Sequence, residues 1–250
     1  MHKRAMLTEQ RKQLLLARLK KDGRLIAKDL SEELDLSEDT IRRDLRELAA
    51  QGLLARVHGG ALPASPTVVK LAARRERSAD EKARLGRAAV ALMARGQTTF
   101  IDGGTSNLEI IRHLPLDYTG TIVTHAPAIA AALEFHEGVA VRVVGGTLYR
   151  HSMVAVGAAA LEAIMGQSFD LAFIGATGFD TKAGLTTGDY EEALIKRAVI
   201  KRAAETTCLL THEKLGAVSS NLVAPVSALA SVIVVKEAKL KAPVEILRAP

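Results

Sequence analysis

Small and hydroxylated residues follow a predicted strand over Thr98–Ile101 in this 250-residue chain. A loop of this kind that opens directly into a helix offers unpaired backbone N–H groups, two hydroxyl groups and the positive end of the helix dipole. These groups together can bind an anion such as a phosphate. The loop lacks the Gly-Lys-Ser/Thr element of a nucleotide-binding Walker loop. Its residues are Asp102, Gly103, Gly104, Thr105 and Ser106.

Other predicted strands of the same half end in similar residues. In an open parallel sheet the carboxyl ends of the strands lie along one edge, where ligands bind. Small side chains there leave room for a ligand to meet backbone N–H groups, so we expect a small phosphorylated ligand at this edge. For any single glycine pair, tight packing is the alternative explanation. The strand ends are Thr124 and His125, Gly145 and Gly146, residues 175–177, and residues 211–214.

A sheet is needed to align these strand ends. From residue 97 onward, β-rich segments alternate with helical ones, which favours βαβ units and an open, mostly parallel α/β sheet with helices on both faces. The predicted strands cover residues 98–101, 121–123, 139–144, 171–174, 207–210 and 231–235. The predicted helices cover residues 81–94, 106–113, 127–135, 154–165 and 190–205.

A positively charged amphipathic helix lies near the N terminus. Ser37 is a good N-cap, and an apolar stripe recurs at helical spacing behind it. The opposite side carries three arginines. Three arginines on one face of a short helix indicate a helix that lies against phosphates or the edges of DNA bases. A solvated charged face is the alternative. The residues expected to contact DNA on this helix are Ser37, Thr40, Arg42, Arg43 and Arg46.

The segments around this helix predict a winged helix-turn-helix. Two helices over residues 8–21 and 26–34 precede it, and a predicted hairpin over residues 53–62 follows it. We expect that hairpin to be a wing that sets Arg56 and His58 against the DNA backbone or in the minor groove. A Pro-rich stretch then indicates a boundary. The predicted domains are residues 1–60, a linker over 61–80, and residues 81–250.

Charge and composition support this division. Residues 1–80 contain 17 lysines and arginines against 12 acidic residues, so +5 of the net charge of +6 lies there and indicates a polyanionic partner. No apolar run approaches 18 residues, so we expect no membrane partner. Cys208 is the only cysteine, which excludes an internal disulfide and fits a cytoplasmic location. We interpret it as a buried core residue.

Several motifs together resemble those of the DeoR family of bacterial transcriptional regulators. In the N-terminal domain the resemblance rests on Thr-Ile-Arg-Arg-Asp-Leu at residues 40–45 and His-Gly-Gly-Ala at residues 58–61. It continues through Asp-Gly-Gly-Thr at 102–105, the diglycine at 145–146, the block at 170–175 with 184–186, and the helix containing residues 192–197. The resemblance therefore covers nearly the whole chain.

The resemblance implies a C-terminal domain similar to ribose-phosphate isomerase that senses sugar phosphates. It implies that Asp102 accepts sugar hydroxyls, while residues 103–106 and Lys214 hold the phosphate, with Arg150 a lesser candidate for that charge. Two positions depart from the family pattern, since His125 replaces an asparagine and Thr211 replaces an aspartate. These departures predict a ligand other than the commoner hexose or pentose phosphates.

The favoured hypothesis is a DNA-binding transcriptional regulator, a repressor of a carbohydrate-metabolism operon controlled by a phosphorylated sugar or related metabolite. It is expected to bind double-stranded operator DNA as a homo-oligomer, a dimer or tetramer, because operators are usually two-fold. No cofactor or metal is expected, and the histidines have no metal-ligand spacing. No enzymatic activity is expected, because no carboxylate pair can be placed in a defined geometry from this sequence. Alternatives are a constitutive DNA-binding scaffold, or an isomerase with a DNA-binding head that uses Asp102, Asp180 and Glu192 as acid/base groups.

Overall fold

The computed structural model describes residues 7–51, 53–57, 59–63 and 76–250. The N-terminal part contains three helices, α1 (Thr8–Asp22), α2 (Ala27–Leu34) and α3 (Glu38–Ala50). Their apolar faces meet in a small core, as the helical spacing of the leucines predicts. That core contains Leu15, Leu19, Leu30, Ile41, Leu45, Leu48 and Leu54, all buried.

The predicted wing is a three-stranded antiparallel sheet. Strand β2 (Leu54–Val57) pairs with β3 (Gly60–Pro63), and β3 also pairs with the two-residue strand β1 (Leu25–Ile26). A Cβ atom at Gly60 would lie 1.8 Å from the Leu25 carbonyl oxygen, so only glycine lets these strands approach. The predicted contact residue His58 and most of the predicted linker, residues 64–75, lie outside the described residues.

The C-terminal part is built on a seven-stranded sheet in which every pairing is parallel. Its strands are β4 (Thr98–Ile101), β5 (Gly120–Thr124), β6 (Val139–Val143), β9 (Phe169–Ile174), β12 (Ala203–Leu209), β14 (Ser231–Val235) and β15 (Glu245–Ala249). They lie in the order β15-β14-β12-β9-β4-β5-β6. The predicted open α/β sheet is thereby confirmed.

Five helices pack around this sheet, as βαβ connections require. They are α4 (Ala79–Val90), α5 (Thr105–His113), α6 (Pro127–Ala132), α7 (Ala158–Met165) and α8 (Tyr190–Arg202). The core between the layers is apolar and includes fully buried Phe100, Phe173 and Ile110. None of the helices in the described ranges is long and apolar enough to cross a bilayer.

Two small antiparallel sheets lie beside the main one. Strand β7 (Thr147–Tyr149) pairs with β8 (Val154–Val156), and β11 (Gly184–Thr187) joins β10 (Gly178–Asp180) to β13 (Asn221–Ala224). The helix predicted over residues 154–165 is therefore wrong at its start. Its first residues form β8, because pairing with β7 satisfies their backbone groups and buries the β-branched Val154 and Val156.

The thiol of Cys208 is buried near the carboxyl end of β12, as the sequence suggests. Burial raises the pKa of this thiol to about 11, because the charged thiolate would be desolvated. We expect the native protein to react negligibly with a thiol reagent at pH 8 and to react fully once unfolded in urea. A colorimetric thiol assay measures both states, and rapid labelling of the native protein would contradict this placement.

Candidate functional sites

The start of α3 is held by a side-chain cap. Ser37 adopts an extended conformation, and its Oγ accepts a hydrogen bond of 3.1 Å from the backbone N–H of Thr40. The Ser37 and Thr40 hydroxyl oxygens are 2.8 Å apart, so both groups belong to the cap. Glu38 and Asp39 in the first turn add negative charge where the helix dipole favours it. The cap sets the direction in which α3 leaves the turn.

The predicted arginines project from the exposed side of α3. The Arg42 and Arg43 side chains are 53% and 67% exposed, and Arg46 is also exposed. Nη2 of Arg42 lies 3.1 Å from a carboxylate oxygen of Glu38, one helical turn back. Nη2 of Arg43 lies 3.7 Å from a carboxylate oxygen of Asp39 in the same way. Such exposed pairs are weak and can exchange a carboxylate for a phosphate.

A groove separates α3 from the wing and brings two predicted contact residues together. Arg42 and the exposed Arg56 of β2 both line it, with Gly59 and Gly60 from the wing turn. Two guanidinium groups on either side of one groove suit a strand of the DNA backbone, which carries regularly spaced negative charges. This juxtaposition could not be read from the sequence, because Arg42 and Arg56 lie on different elements.

A buried ion pair fixes α3 against α1. The Arg11 guanidinium donates from Nε and from Nη2 to the two carboxylate oxygens of Asp44, the second bond measuring 3.0 Å. Asp44 is 2% exposed, so it cannot reach DNA and instead holds the helices together, as its place beside the apolar stripe suggests. A second pair, Lys12 with Glu47 at 2.8 Å, joins the same two helices.

Replacing Ser37 with alanine is expected to destabilise the N-terminal domain by about 1 kcal/mol, because the Thr40 N–H loses its acceptor. Replacing Ser37 with aspartate retains a side-chain acceptor at the cap and is the matched control. Urea unfolding, monitored by hydrogen exchange of the α3 amides, measures the difference in the free energy of unfolding between the variants. Equal stability of the alanine and wild-type proteins would show that the cap contributes nothing.

The second site is a cavity of about 50 Å³ at the carboxyl ends of the parallel strands. The loop and first turn of α5, residues 103–107, form one wall, and residues 175–177 after β9 form another. Ser152 and Thr187 add hydroxyl groups to the lining. The remaining charged side chains in the lining are Lys82, Glu192, Lys196, Glu213 and Lys214.

The α5 wall has the features of an anion site. Gly104 is the N-cap residue of α5 and has φ +115°, a conformation that glycine adopts readily. Because glycine has no side chain, no side-chain cap occupies the start of this helix. The first N–H groups of a helix have no carbonyl partner within that helix, so those of α5 can donate to a ligand. Asn107 steadies this wall by donating to the carbonyl oxygens of Asp102 at 3.1 Å and Phe173 at 3.4 Å.

Asp102 lies beneath the cavity and has no exposed surface. Its Oδ1 accepts from the Gly103 N–H at 2.7 Å and lies 2.6 Å from His125 Nε2. Its Oδ2 accepts from the Gly175 N–H at 2.7 Å and from the Lys196 ammonium. Burial alone would raise the pKa of Asp102, but Lys196 and His125 outweigh it and hold that pKa well below its ordinary value.

Asp102 is thus a buried charge that positions the cavity walls. Its four partners come from the loop before α5, from the end of β5, from the loop after β9 and from α8. The expectation that Asp102 accepts sugar hydroxyls does not fit this geometry, because both oxygens already accept two bonds and neither lines the cavity. The structure thus places Asp102 behind the lining, and its contact with an effector stays a prediction.

Thr124 and His125 are also fully buried behind the cavity wall. The Thr124 hydroxyl donates to the Ile101 carbonyl at 2.6 Å and accepts from the Ala126 N–H at 3.1 Å. His125 Nδ1 lies 2.7 Å from the Ala155 carbonyl oxygen, so the ring bridges Asp102 and strand β8. Both residues support the cavity without lining it, so contact of either with an effector stays a prediction.

Three lysines bring positive charge to the cavity from three separate elements. Lys196 on α8 is 5% exposed; burial by itself lowers its pKa, but the negative charges of Asp102 and Glu192 outweigh that effect and raise it. Lys82 on α4 is 3% exposed and donates to the Arg77 carbonyl. Lys214 donates to the Leu209 carbonyl at 3.0 Å. The cavity therefore has fixed cations on several sides.

The predicted effector residues divide into three groups. Gly103, Gly104, Thr105, Ser106 and Lys214 line the cavity, and Asp102, Thr124 and His125 lie behind it. The third group is exposed and outside the lining; it comprises Gly145, Gly146 and Arg150. Contact between the lining residues and an effector stays a prediction.

Sequence reasoning did not assign several residues of the lining to effector binding, although it named Glu192 as a possible acid/base group. Glu192 and Lys196 are four residues apart on α8, a spacing that puts two side chains on one side of a helix. That spacing was a usable signal, but it does not say which surface the helix faces. Lys82 carried no such signal, because it reaches the cavity from α4, before the first strand of the sheet.

Comparison with known proteins places these two sites in one family. Residues 77–236 match the family model described as the DeoR C terminal sensor domain, and residues 11–67 match the DeoR-like helix-turn-helix domain. The chain belongs to the DeoR family. This regulator therefore combines a DNA-binding domain, which contains α3 and the wing, with a sensor domain, which contains the cavity.

Curated relatives of this DeoR-family protein match over most of its length. The HTH-type transcriptional regulator GlpR of Haloferax volcanii is 36% identical over 197 residues, which cover 78% of this chain and 76% of that protein. The glycerol-3-phosphate regulon repressor of Escherichia coli K12 is 33% identical over 213 residues, covering 84% of each. The family recognised from the sequence motifs is confirmed.

Among solved structures, ribose 5-phosphate isomerase A from Methanocaldococcus jannaschii is 17% identical, with a TM-score of 0.41. The match covers 55% of this chain and 54% of that one. A likeness of this size carries no inference about activity.

Proposed function

We propose that this DeoR-family regulator is a repressor of a carbohydrate-metabolism operon, and that a phosphorylated sugar or related metabolite controls its affinity for DNA. The observation that carries the proposal is the cavity, in which the N-terminal end of α5 and three lysines surround one space. The relatives support it, since one is named a glycerol-3-phosphate regulon repressor and another, from Bacillus subtilis, the transcriptional repressor GlcR.

The proposed mechanism divides the work between two domains, residues 1–60 for DNA and residues 81–250 for the effector, joined by a linker over 61–80. The protein works as a homo-oligomer, a dimer or tetramer, in the cytoplasm. A palindromic operator requires the recognition helices of two protomers to be separated by whole turns of DNA. An effector that changes how protomers pack alters this separation and hence the affinity for DNA.

The test is binding of the full chain to labelled fragments from the promoters next to its gene, with and without phosphorylated sugars. Fluorescence anisotropy measures the dissociation constant, and the corresponding unphosphorylated sugars are the controls. The proposal predicts a change of about 5-fold to 150-fold with one phosphorylated compound and none with its unphosphorylated form. If no phosphorylated metabolite changes affinity, the sensing half of the proposal is wrong.

We propose that the protein is not an isomerase. Of the three carboxylates considered for acid/base work, only Glu192 lines the cavity. Asp180 accepts from the N–H groups of Lys182 and Ala183 at 2.8 Å in the turn after β10, and Asp102 is fully engaged. Incubation of the full chain with ribose 5-phosphate should leave the sugar unchanged by NMR. Conversion at an enzymatic rate, absent from the Glu192→Gln variant, would instead support the enzyme.

A further inference from the structure

We propose that Glu192 recognises the hydroxyl groups of the effector and makes the cavity selective for polyhydroxylated phosphates over phosphates that lack hydroxyls. The inference rests on the proposed function, because it assigns a role to a residue of the proposed effector cavity. It gives the task first attributed to Asp102 to a different carboxylate. Three observations support the assignment: the way in which Glu192 is held, its unused hydrogen-bonding capacity, and the distribution of charge around it.

Glu192 is held in place at the start of α8. Its backbone N–H donates to the Asp189 N-cap carboxylate at 2.9 Å, and its Oε2 accepts from the Thr187 hydroxyl at 3.1 Å. Glu192 is only 5% exposed, yet it lines the cavity. The carboxylate is therefore fixed before a ligand arrives, which lowers the entropic penalty of binding.

The carboxylate retains an acceptor that the described residues do not use. Among them, only the Thr187 hydroxyl bonds to the Glu192 side chain, through Oε2, so Oε1 has no hydrogen-bond partner. An ionised carboxylate only accepts hydrogen bonds, so its natural ligand partner is an O–H or N–H donor. Asp102 differs in this respect, because each of its oxygens already accepts two hydrogen bonds.

The charges in the lining favour different parts of a phosphorylated ligand. A carboxylate repels a phosphate dianion, whereas the start of α5 and the ammonium groups of Lys82 and Lys214 attract it. A ligand with an anionic head at that wall can direct a neutral hydroxylated chain toward Glu192. Glu192 and Lys196 both line the cavity, so the pair supplies one acceptor and one donor for adjacent hydroxyls. Burial lowers the pKa of Lys196, but the negative charges of Asp102 and then Glu192 outweigh it and raise that pKa.

The experiment compares ligands of equal charge that differ in hydroxyl groups. Isothermal titration calorimetry on the full-length protein measures binding of inorganic phosphate, propyl phosphate, glycerol 3-phosphate, ribose 5-phosphate and fructose 6-phosphate. The wild-type protein should prefer at least one hydroxylated compound to propyl phosphate by about 10-fold or more, as expected for a hydrogen bond to a charged group. Glu192→Gln should reduce that preference about 10-fold while leaving the affinity for propyl phosphate equal or higher.

The control is Glu191→Gln, which makes the same charge change at the exposed neighbouring residue and should keep the preference. Thermal unfolding without ligand verifies that each variant is folded; if Glu192→Gln is unfolded, Thr187→Val, which frees Oε2, must change the preference. Equal weakening of every phosphate in Glu192→Gln would show a merely structural role and overturn the inference. A wild-type protein that binds phosphates without preferring hydroxylated ones also overturns it. Failure to bind any of the phosphates would instead overturn the proposed function itself.

Discussion

Replacing Asp102 with asparagine is expected to lower the free energy of unfolding of the sensor domain by about 3–5 kcal/mol. The substitution preserves shape but removes the negative charge that directly contacts both Lys196 and His125. Lys196 would then be left as a poorly compensated buried cation, and the amide NH₂ group that replaces one carboxylate oxygen cannot accept a hydrogen bond. The four segments that contact Asp102 lose one of their anchors, so phosphate binding should fall as well.

The measurement is urea unfolding at pH 7, monitored by hydrogen exchange of the β4 and β9 amides. These amides report on the sensor domain alone. Asp117→Asn is the matched control, because the Asp117 side chain is 76% exposed and its pair with Arg95 is a surface pair. The control should change stability by less than about 1 kcal/mol. Equal stabilities for Asp102→Asn and the wild type would mean that the buried charges are not balanced through Asp102.

The same prediction has a pH dependence with a defined sign. The folded state holds the pKa of Asp102 below its ordinary value, so the ionised carboxylate stabilises the fold fully above the unfolded-state pKa of about 4. This contribution is lost progressively as the pH falls below that value toward the folded-state pKa. The stability difference between wild type and Asp102→Asn should therefore be constant from pH 6 to 7 and should shrink below about pH 4.

Combined replacement of Arg42, Arg43 and Arg46 by alanine is expected to abolish tight DNA binding. Each arginine that neutralises a phosphate releases counterions and contributes about 0.9 to the slope of log affinity against log salt concentration. Three lost contacts should reduce that slope by up to about 3. An arginine that contacts a guanine contributes about 1–3 kcal/mol of sequence discrimination instead. Fluorescence anisotropy from 50 to 300 mM salt separates the two contributions, one arginine at a time.

The control for this prediction removes the same charge from the sensor domain. Its three substituted residues are exposed arginines, Arg95, Arg112 and Arg142. The control variant should keep the wild-type salt slope, because long-range effects of exposed charges are screened within about 10 Å at 0.1 M salt. If the α3 variant also keeps that slope, α3 does not face the DNA backbone. A loss of slope in both variants would indicate a general effect of net charge.

Much of the fold follows from local patterns. The cap at Ser37, the apolar stripe of α3 and the β-rich segments of the sheet are short-range features, and the structure has helices and strands where they predict them. The two-residue strand β1 and the hairpin formed by β7 and β8 were missed. They are too short for a periodic signal, and they exist because a distant strand supplies hydrogen-bond partners.

Only part of the cavity could be predicted from local sequence patterns. The loop after β4 was recognisable from the sequence, since glycines followed by hydroxylated residues at a helix start are a local pattern. The roles of Asp102, Glu192 and Lys82 were not recognisable, because they depend on contacts with side chains from other elements. For the two carboxylates, the role also depends on which of the oxygens already accept hydrogen bonds. Asp102 and Glu192 are both carboxylates, and only the three-dimensional arrangement shows that one is saturated while the other retains an acceptor.

The sequence by itself determined the family, the two kinds of domain and the charge that directs the first of them toward DNA, because these depend on composition and on neighbours along the chain. Tertiary structure alone decided which polar residues line the cavity and which support it. The reason is physical: burial and hydrogen-bond saturation are set by contacts between residues such as Asp102 and Lys196, which are 94 positions apart in the sequence.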